Sequence, residues 1–165
     1  MSAVSAEGLR ERALEAASRV VDPEIPVLTI GDLGVLRAVR VAGDCVEIDI
    51  TPTYSGCPAM RVIELDLETQ LHAAGIEKFR INTVLAPAWT TDWLSAEGRR
   101  KLAAFGIAPP AGKAGRRALF AGDAPHCPRC GSAETERLAE FGSTACKALY
   151  RCRACAEPFD YFKCH

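Results

Sequence analysis

Cys127-Pro128-Arg129-Cys130 and Cys152-Arg153-Ala154-Cys155 are two Cys-x-x-Cys pairs with 21 residues between them. Two such turns, carried on β-hairpins that face each other, bring four thiolates tetrahedrally onto one metal ion. The spacing predicts zinc in a structural site, because four protein ligands leave no open position for a substrate. Iron in the same four-thiolate site, or a small cluster, is the other occupant this chemistry admits. A unit of roughly 40 residues buries too little surface to fold unaided, and a structural zinc contributes about 10–16 kcal/mol at neutral pH. His126 and His165 adjoin these cysteines and read as surface or neighbouring residues rather than ligands.

A different chemistry is suggested by Thr51-Pro52-Thr53-Tyr54-Ser55-Gly56-Cys57-Pro58-Ala59-Met60. Pro58 suits the first position of a helix, where a missing N–H costs nothing. Cys57 then falls at or beside the N-cap, where unpaired N–H groups and the helix dipole favour a negative charge. A thiol so placed works as a nucleophile or a metal ligand, or it is simply a small residue in a turn. Cys146 and Cys164 remain once the four ribbon ligands are assigned. They are structural thiols or, with Cys57, part of a thiol-rich surface able to hold a metal in passing. Cys45 shares a strand face with Glu47 and Asp49, toward solvent or a helix edge, and takes no role.

The elements that would position these groups follow from periodicity. Glu7 to Val21 reads as a helix with Leu9, Ala13, Ala16, Ala17 and Val20 on one face, halted before Pro23. Asp22-Pro23-Glu24-Ile25-Pro26 reads as a stiff, extended connector and Thr29 to Gly34 as a turn. Val35–Val41 and Cys45–Ile50 are strands of a hairpin turning at Ala42-Gly43-Asp44. A helix over 58–74 buries Met60, Ile63, Leu67 and Leu71 and ends at Gly75. Phe79, Ile81, Thr83 and Leu85 alternate as a third strand, which the right-handed βαβ rule makes parallel to the second. After a loop over 87–94, Ser95 to Phe105 is a last helix closed by Gly106. The expected architecture is α+β, a small mixed sheet with packed helices over residues 1–106. An Ala/Gly/Pro-rich basic linker covers 107–125 and a four-cysteine ribbon 126–165.

Charge is unevenly placed in this chain of 165 residues. Residues 1–97 carry 8 Lys/Arg against 15 Asp/Glu, a net of −7, and residues 98–125 carry 6 against 1, a net of +5. The acidic main unit would repel a phosphate backbone, so a nucleic-acid partner is not expected. No apolar run approaches a membrane span, and Met1 to Glu7 has no secretory pattern. The expected compartment is the cytoplasm, with the eight cysteines reduced or bound to metal.

Asp22-Pro23-Glu24, Asp32-Leu33-Gly34, Thr51-Pro52-Thr53 through Pro58, and Pro87-Ala88-Trp89-Thr90 together resemble the SufT-like domain of iron–sulfur cluster assembly proteins. With the run from Phe141 to Lys163, the whole chain resembles the PaaD (PaaJ) family, the small subunit encoded with bacterial phenylacetyl-CoA epoxidase. The resemblance implies a place in aerobic phenylacetate catabolism. There a di-iron oxygenase forms the ring-1,2-epoxide, fed electrons by an NADPH-dependent FAD/[2Fe–2S] reductase. It also implies maturation or loading of their iron centres, with Cys57 as transient iron or cluster ligand and Asp22, Glu24, Asp32 and Thr51 shaping its pocket. The residues agree that the chain is no autonomous oxygenase or hydrolase. It has no Glu-x-x-His for a di-iron site and no G-x-G-x-x-G for a dinucleotide. His72 lies about 22 Å along the helix from Cys57, too far to serve as its base. The rival reading is a non-catalytic adaptor that docks reductase on oxygenase through Phe159, Tyr161 and Phe162. Trp89 and Trp93 either stack on a partner or cap the sheet, and self-association into a homo-oligomer stays open.

Overall fold

A computed structural model of the chain describes residues 5–110 and 124–163. Two compact units emerge, Met1–Trp89 and Thr90–His165.

The first unit opens with α1 (Ala6–Ser18), whose N-cap Ser5 accepts the Gly8 N–H on its hydroxyl at 3.1 Å. The helix ends three residues before the expected Val21. The Val20 carbonyl is taken by the Ile30 N–H and Val21 bridges antiparallel to Thr29, so neither residue can continue the helix. The segment after it is not an extended connector. The Asp22 carboxylate accepts the N–H groups of Glu24 and Ile25 at 2.8 and 2.7 Å, and the Asp22 N–H returns to the Leu28 carbonyl. That closes a loop whose Ile25, Leu28, Ile30, Leu33 and Val35 are all buried. An aspartate that satisfies two backbone donors lets a proline-containing stretch turn inward and contribute to the core.

Strands β1 (Leu36–Ala42) and β2 (Cys45–Ile50) form the expected antiparallel hairpin, with Gly43 at φ 67° in its turn. β3 (Phe79–Thr83) joins β2 in parallel, giving the order β1-β2-β3. Leu85 lies beyond the strand and is exposed, because the Val84 N–H turns to the Ile50 carbonyl and ends the ladder. Between them α2 (Ala59–Ala73) lays Ala59, Ile63, Leu67 and Leu71 inward, while Met60 is only partly covered. Val46, Ile48 and Ile50 form the matching buried face of β2. Gly75, at φ 71°, ends the helix in the left-handed conformation that Gly adopts without strain.

In the second unit, α3 (Ala96–Ala104) is capped by Ser95, whose hydroxyl accepts the Gly98 N–H at 2.9 Å. The next residues correct the expected boundary at 106. Ile107–Ala108 is a strand, β4, paired in parallel with β7 (Pro158–Phe162). The sheet runs β4-β7-β6-β5, with β5 Thr135–Ala139 and β6 Lys147–Cys152 antiparallel neighbours. Ala108 is buried in one cluster with Cys127, Cys152 and Phe159. A two-residue strand has no period to read, which is why these residues pass for linker. The basic stretch with Lys113, Arg116 and Arg117 lies outside the described residues, as does Cys164.

Because Ala108 packs beside two of the four ribbon cysteines, Ala108→Asp would bury an unpaired carboxylate against them. Its expected cost is about 3 kcal/mol or more. In the full-length protein it should speed zinc loss to a chromophoric chelator, whereas a residue in a free linker would leave the rate unchanged.

Candidate functional site

The ribbon cysteines are brought together by two turns of the same design. Cys127 accepts the Gly131 N–H on its carbonyl at 2.9 Å and donates its own N–H to Ser132, folding the first Cys-x-x-Cys into a tight loop. The second loop begins at the end of β6, where the Cys152 N–H bonds the Glu157 carbonyl and the Cys152 sulfur accepts the Cys155 N–H at 3.5 Å. Residues following each loop, Gly131 at φ 76° and Ala156 at φ 64°, both adopt the left-handed conformation. Sequence reasoning passes over Ala156, because a Cβ there gives no sign of the backbone it must adopt.

All four ligand sulfurs lie within 4.8 Å of one another, with Cys127 to Cys155 at 3.8 Å and Cys130 to Cys152 at 3.5 Å. A tetrahedron of metal–sulfur bonds near 2.3 Å has edges of about 3.8 Å, so the donor set fits zinc. The thiols feel the crowding. The Cys155 N–H, aided by the Cys130 thiol and against desolvation, holds Cys152 down to about 7. On Cys130 the Ser132 N–H pulls the same way, but Cys152, desolvation and the other thiols outweigh it and push the group up to about 12. Cys155 is raised as well, its Glu157 N–H outweighed by desolvation and by Cys152. One thiolate is comfortable there and four are not, unless a cation neutralises them. Cys127 and Cys152 are buried, and Cys130 and Cys155 are exposed.

Elsewhere in this unit Cys146 is buried, with the Thr144 hydroxyl 3.0 Å from its sulfur. Phe159 and Phe162, expected on a docking edge, are buried within the sheet, and Tyr161 packs edge-on to Tyr150 at 5.5 Å. Phe105 and Phe141 are exposed, the latter with the Lys163 ammonium 4.2 Å from its ring centre. His126 bonds the Gly131 carbonyl at 3.1 Å, buttressing the first loop rather than joining the sulfurs.

In the first unit, Cys57 lies half-buried on the loop between β2 and α2. Pro58 is itself the N-cap of α2, so the helix starts one residue later than expected, and no side chain caps it. Cys57 thus precedes the cap: its carbonyl accepts the Met60 N–H and its N–H bonds Tyr54, both at 3.3 Å. Several segments meet at the end of the sheet from which the Cys57 loop leaves. Thr51, buried, bonds the carbonyl of Val35 ahead of β1, Val84 bonds the end of β2, and the Trp89 indole donates to Leu33 at 2.8 Å. Trp89 is therefore a buried cap on that end. The Asp32 carboxylate accepts the Thr29 N–H at 3.1 Å while the Thr29 hydroxyl accepts the Asp32 N–H at 3.0 Å. Asp22 and Asp32 thus bind the backbone of their own loops. His72 pairs with Glu77 at 3.1 Å, and Cys45 is half-buried at the start of β2.

The fold and the sulfur cluster agree with comparisons to known proteins. The family model described as iron–sulfur cluster assembly protein matches residues 10–82, and that of the PaaD zinc beta ribbon domain matches residues 112–163. An Escherichia coli K12 protein, named as a putative 1,2-phenylacetyl-CoA epoxidase subunit, is 49% identical over 147 residues, which is 89% of this chain and 88% of that protein. The chain belongs to the PaaD family. A crystal structure of a domain of unknown function, DUF59, from Bacillus anthracis superposes with a TM-score of 0.55. It is 25% identical and covers 61% of this chain and 97% of its own. Among the described residues of this PaaD-family protein, no helix is long and apolar enough to cross a membrane.

Two outcomes follow for the ribbon. Loading zinc should release protons from Cys130 and Cys155, whose thiols are held up, and the apparent affinity should fall as the pH drops. The fall steepens below about 7, where Cys152 must also be deprotonated by the metal. Competition with a chromophoric chelator across pH measures this. Ala156→Gly should raise the ribbon's stability by about 1 kcal/mol, relieving the left-handed alanine, read as a higher Tm of the zinc-loaded protein.

Proposed function

We propose that this chain is an accessory subunit of a phenylacetyl-CoA 1,2-epoxidase system that matures or loads iron–sulfur or iron centres of the reductase or oxygenase. Cys57 is the transient ligand of the iron or cluster in passage. The observation that carries the proposal is the position of Cys57. It is a half-buried thiol on the strand-to-helix loop of a unit matched by an iron–sulfur assembly family. The epoxidase assignment rests on the 49% identity to the Escherichia coli relative.

One thiolate on a loop suits a carrier better than a resident site. A single protein ligand leaves the other positions on the iron open to the client's own cysteines or carboxylates, and exchange then proceeds ligand by ligand. Asp22 and Asp32 support this from behind by fixing their loops, and buried Thr51 ties the Cys57 loop to the strand end. Glu24 completes the acidic rim of the proposed pocket. Zinc in the ribbon is structural: it neutralises four thiolates and holds a small sheet together. The site of action is the cytoplasm, where these thiols stay reduced.

Iron and acid-labile sulfide in the reductase, and iron in the oxygenase, should be measured after purification from cells with and without this chain. Severalfold under-loading of one of them in its absence is expected, restored by the wild type and not by Cys57→Ser. Full loading of both without the chain would overturn the maturation role.

A further inference from the structure

We propose that the outward face of α2 beside Cys57 is a docking surface for the client protein, which presents Lys or Arg side chains around an apolar anchor. The proposal rests on the carrier reading above and adds where, and by what chemistry, the client binds. Ile63, Leu67 and Leu71 hold α2 to its own sheet. On the opposite side Val62 and Leu65, with Asp66 and Thr69, follow at i, i+3, i+4 and i+7 and so share one stripe. Val62 is 43% and Leu65 45% exposed, two branched aliphatics side by side in the first two turns. Single exposed leucines are ordinary. What sets this pair apart is its charge surround and its place.

Excluding its histidine, α2 carries one arginine against Glu64, Asp66 and Glu68, a net of −2. Arg61 is already committed to Glu64 at 3.3 Å. Among the described residues, no cation pairs with Asp66 or Glu68. The other cations of this unit are engaged too: Arg10 with Glu7, Arg19 with Glu15, Arg40 with Asp49, Arg80 with Glu47. An apolar pair flanked by uncompensated carboxylates is complementary to a basic surface with a protruding apolar side chain. Such charges act mainly on encounter rate and register, and burial of the apolar pair gives the complex its lifetime. The place is equally telling. Val62 lies five residues beyond Cys57, in the first turn of the helix into which the Cys57 loop leads, so the stripe begins close to the thiol along the chain.

The test measures binding of the purified full-length protein to separately purified reductase and oxygenase components, at low and at physiological salt. Val62→Ser/Leu65→Ser and Asp66→Lys/Glu68→Lys should each weaken binding to one component at least tenfold. Added salt should weaken the wild type and strengthen the residual binding of the charge-reversed variant, whose α2 then repels a basic client. A failure of iron loading to depend on Cys57 then counts against the carrier reading alone, and a failure of the stripe variants to weaken binding counts against the docking surface alone. Both double variants binding within twofold of the wild type would overturn the proposal. So would a wild type that binds neither component, or one that sediments as a dimer broken by Leu65→Ser, which would make the stripe a contact between copies.

Discussion

Four sulfur atoms within 4.8 Å of one another are the constraint around which the second unit is arranged. Without a cation the arrangement opposes itself, since each thiolate formed raises the cost of the next. With one, the same crowding becomes a clamp on two loops, and through β6 and β7 on the whole small sheet. The cluster of Ala108, Cys127, Cys152 and Phe159 shows how little apolar material supplements it. The strand added by Ile107–Ala108 extends that sheet at its β7 edge. Ala156, left-handed beside the second loop, departs from what an alanine prefers.

The first unit is organised differently, around the central strand of its sheet. β2 is fully buried on one face and carries neighbours on both edges, so its end at Ile50 is a fixed point. From that end the backbone bonds of Thr51 and Val84 draw in the segment before β1 and the segment after β3. Asp22, Asp32 and Thr29 spend their polar atoms on N–H groups of their own loops, which makes those loops stiff without any regular element. The separate loop that carries Cys57 is tied at its start by Thr51 to Val35, and there Cys57 is half-buried. The two units therefore use cysteine in opposed senses. In the ribbon sulfur is saturated by its neighbours, and on the α2 loop a thiol is held apart from the other cysteines by being placed alone.

That contrast bears on why a single small chain would carry both. A saturated four-thiolate site exchanges metal slowly and suits architecture, whereas a lone ligand at a helix mouth suits transfer. The acidic surplus of α2 and its exposed Val62 and Leu65 belong to the unit of Cys57, not to the ribbon. The aromatics of β7 face the opposite way in functional terms: Phe159 and Phe162 are interior, so the ribbon offers its Phe141 loop, not a row of rings.

The sequence by itself determined the parts whose chemistry or period is strong. The paired Cys-x-x-Cys motifs named a four-sulfur site, and the alternation of Val46, Ile48 and Ile50 followed by the Ile63-Leu67-Leu71 stripe named a parallel βαβ unit. Gly43 and Gly75 marked a turn and a helix end because each has a specific backbone reason to be there. Tertiary structure alone decided the rest. Residues 22–35 read as connector and turn because prolines and aspartates mask their apolar residues, and only the bonds of Asp22 and Val20 fold Ile25, Leu28 and Ile30 inward. Ile107–Ala108 became a strand because β7 had a free edge, a partner about 50 residues away that no local pattern can announce. Whether Phe159 is a docking ring or a core ring depends on which face of β7 meets β6 and β4. That is a matter of packing between segments, and a one-dimensional pattern does not contain it.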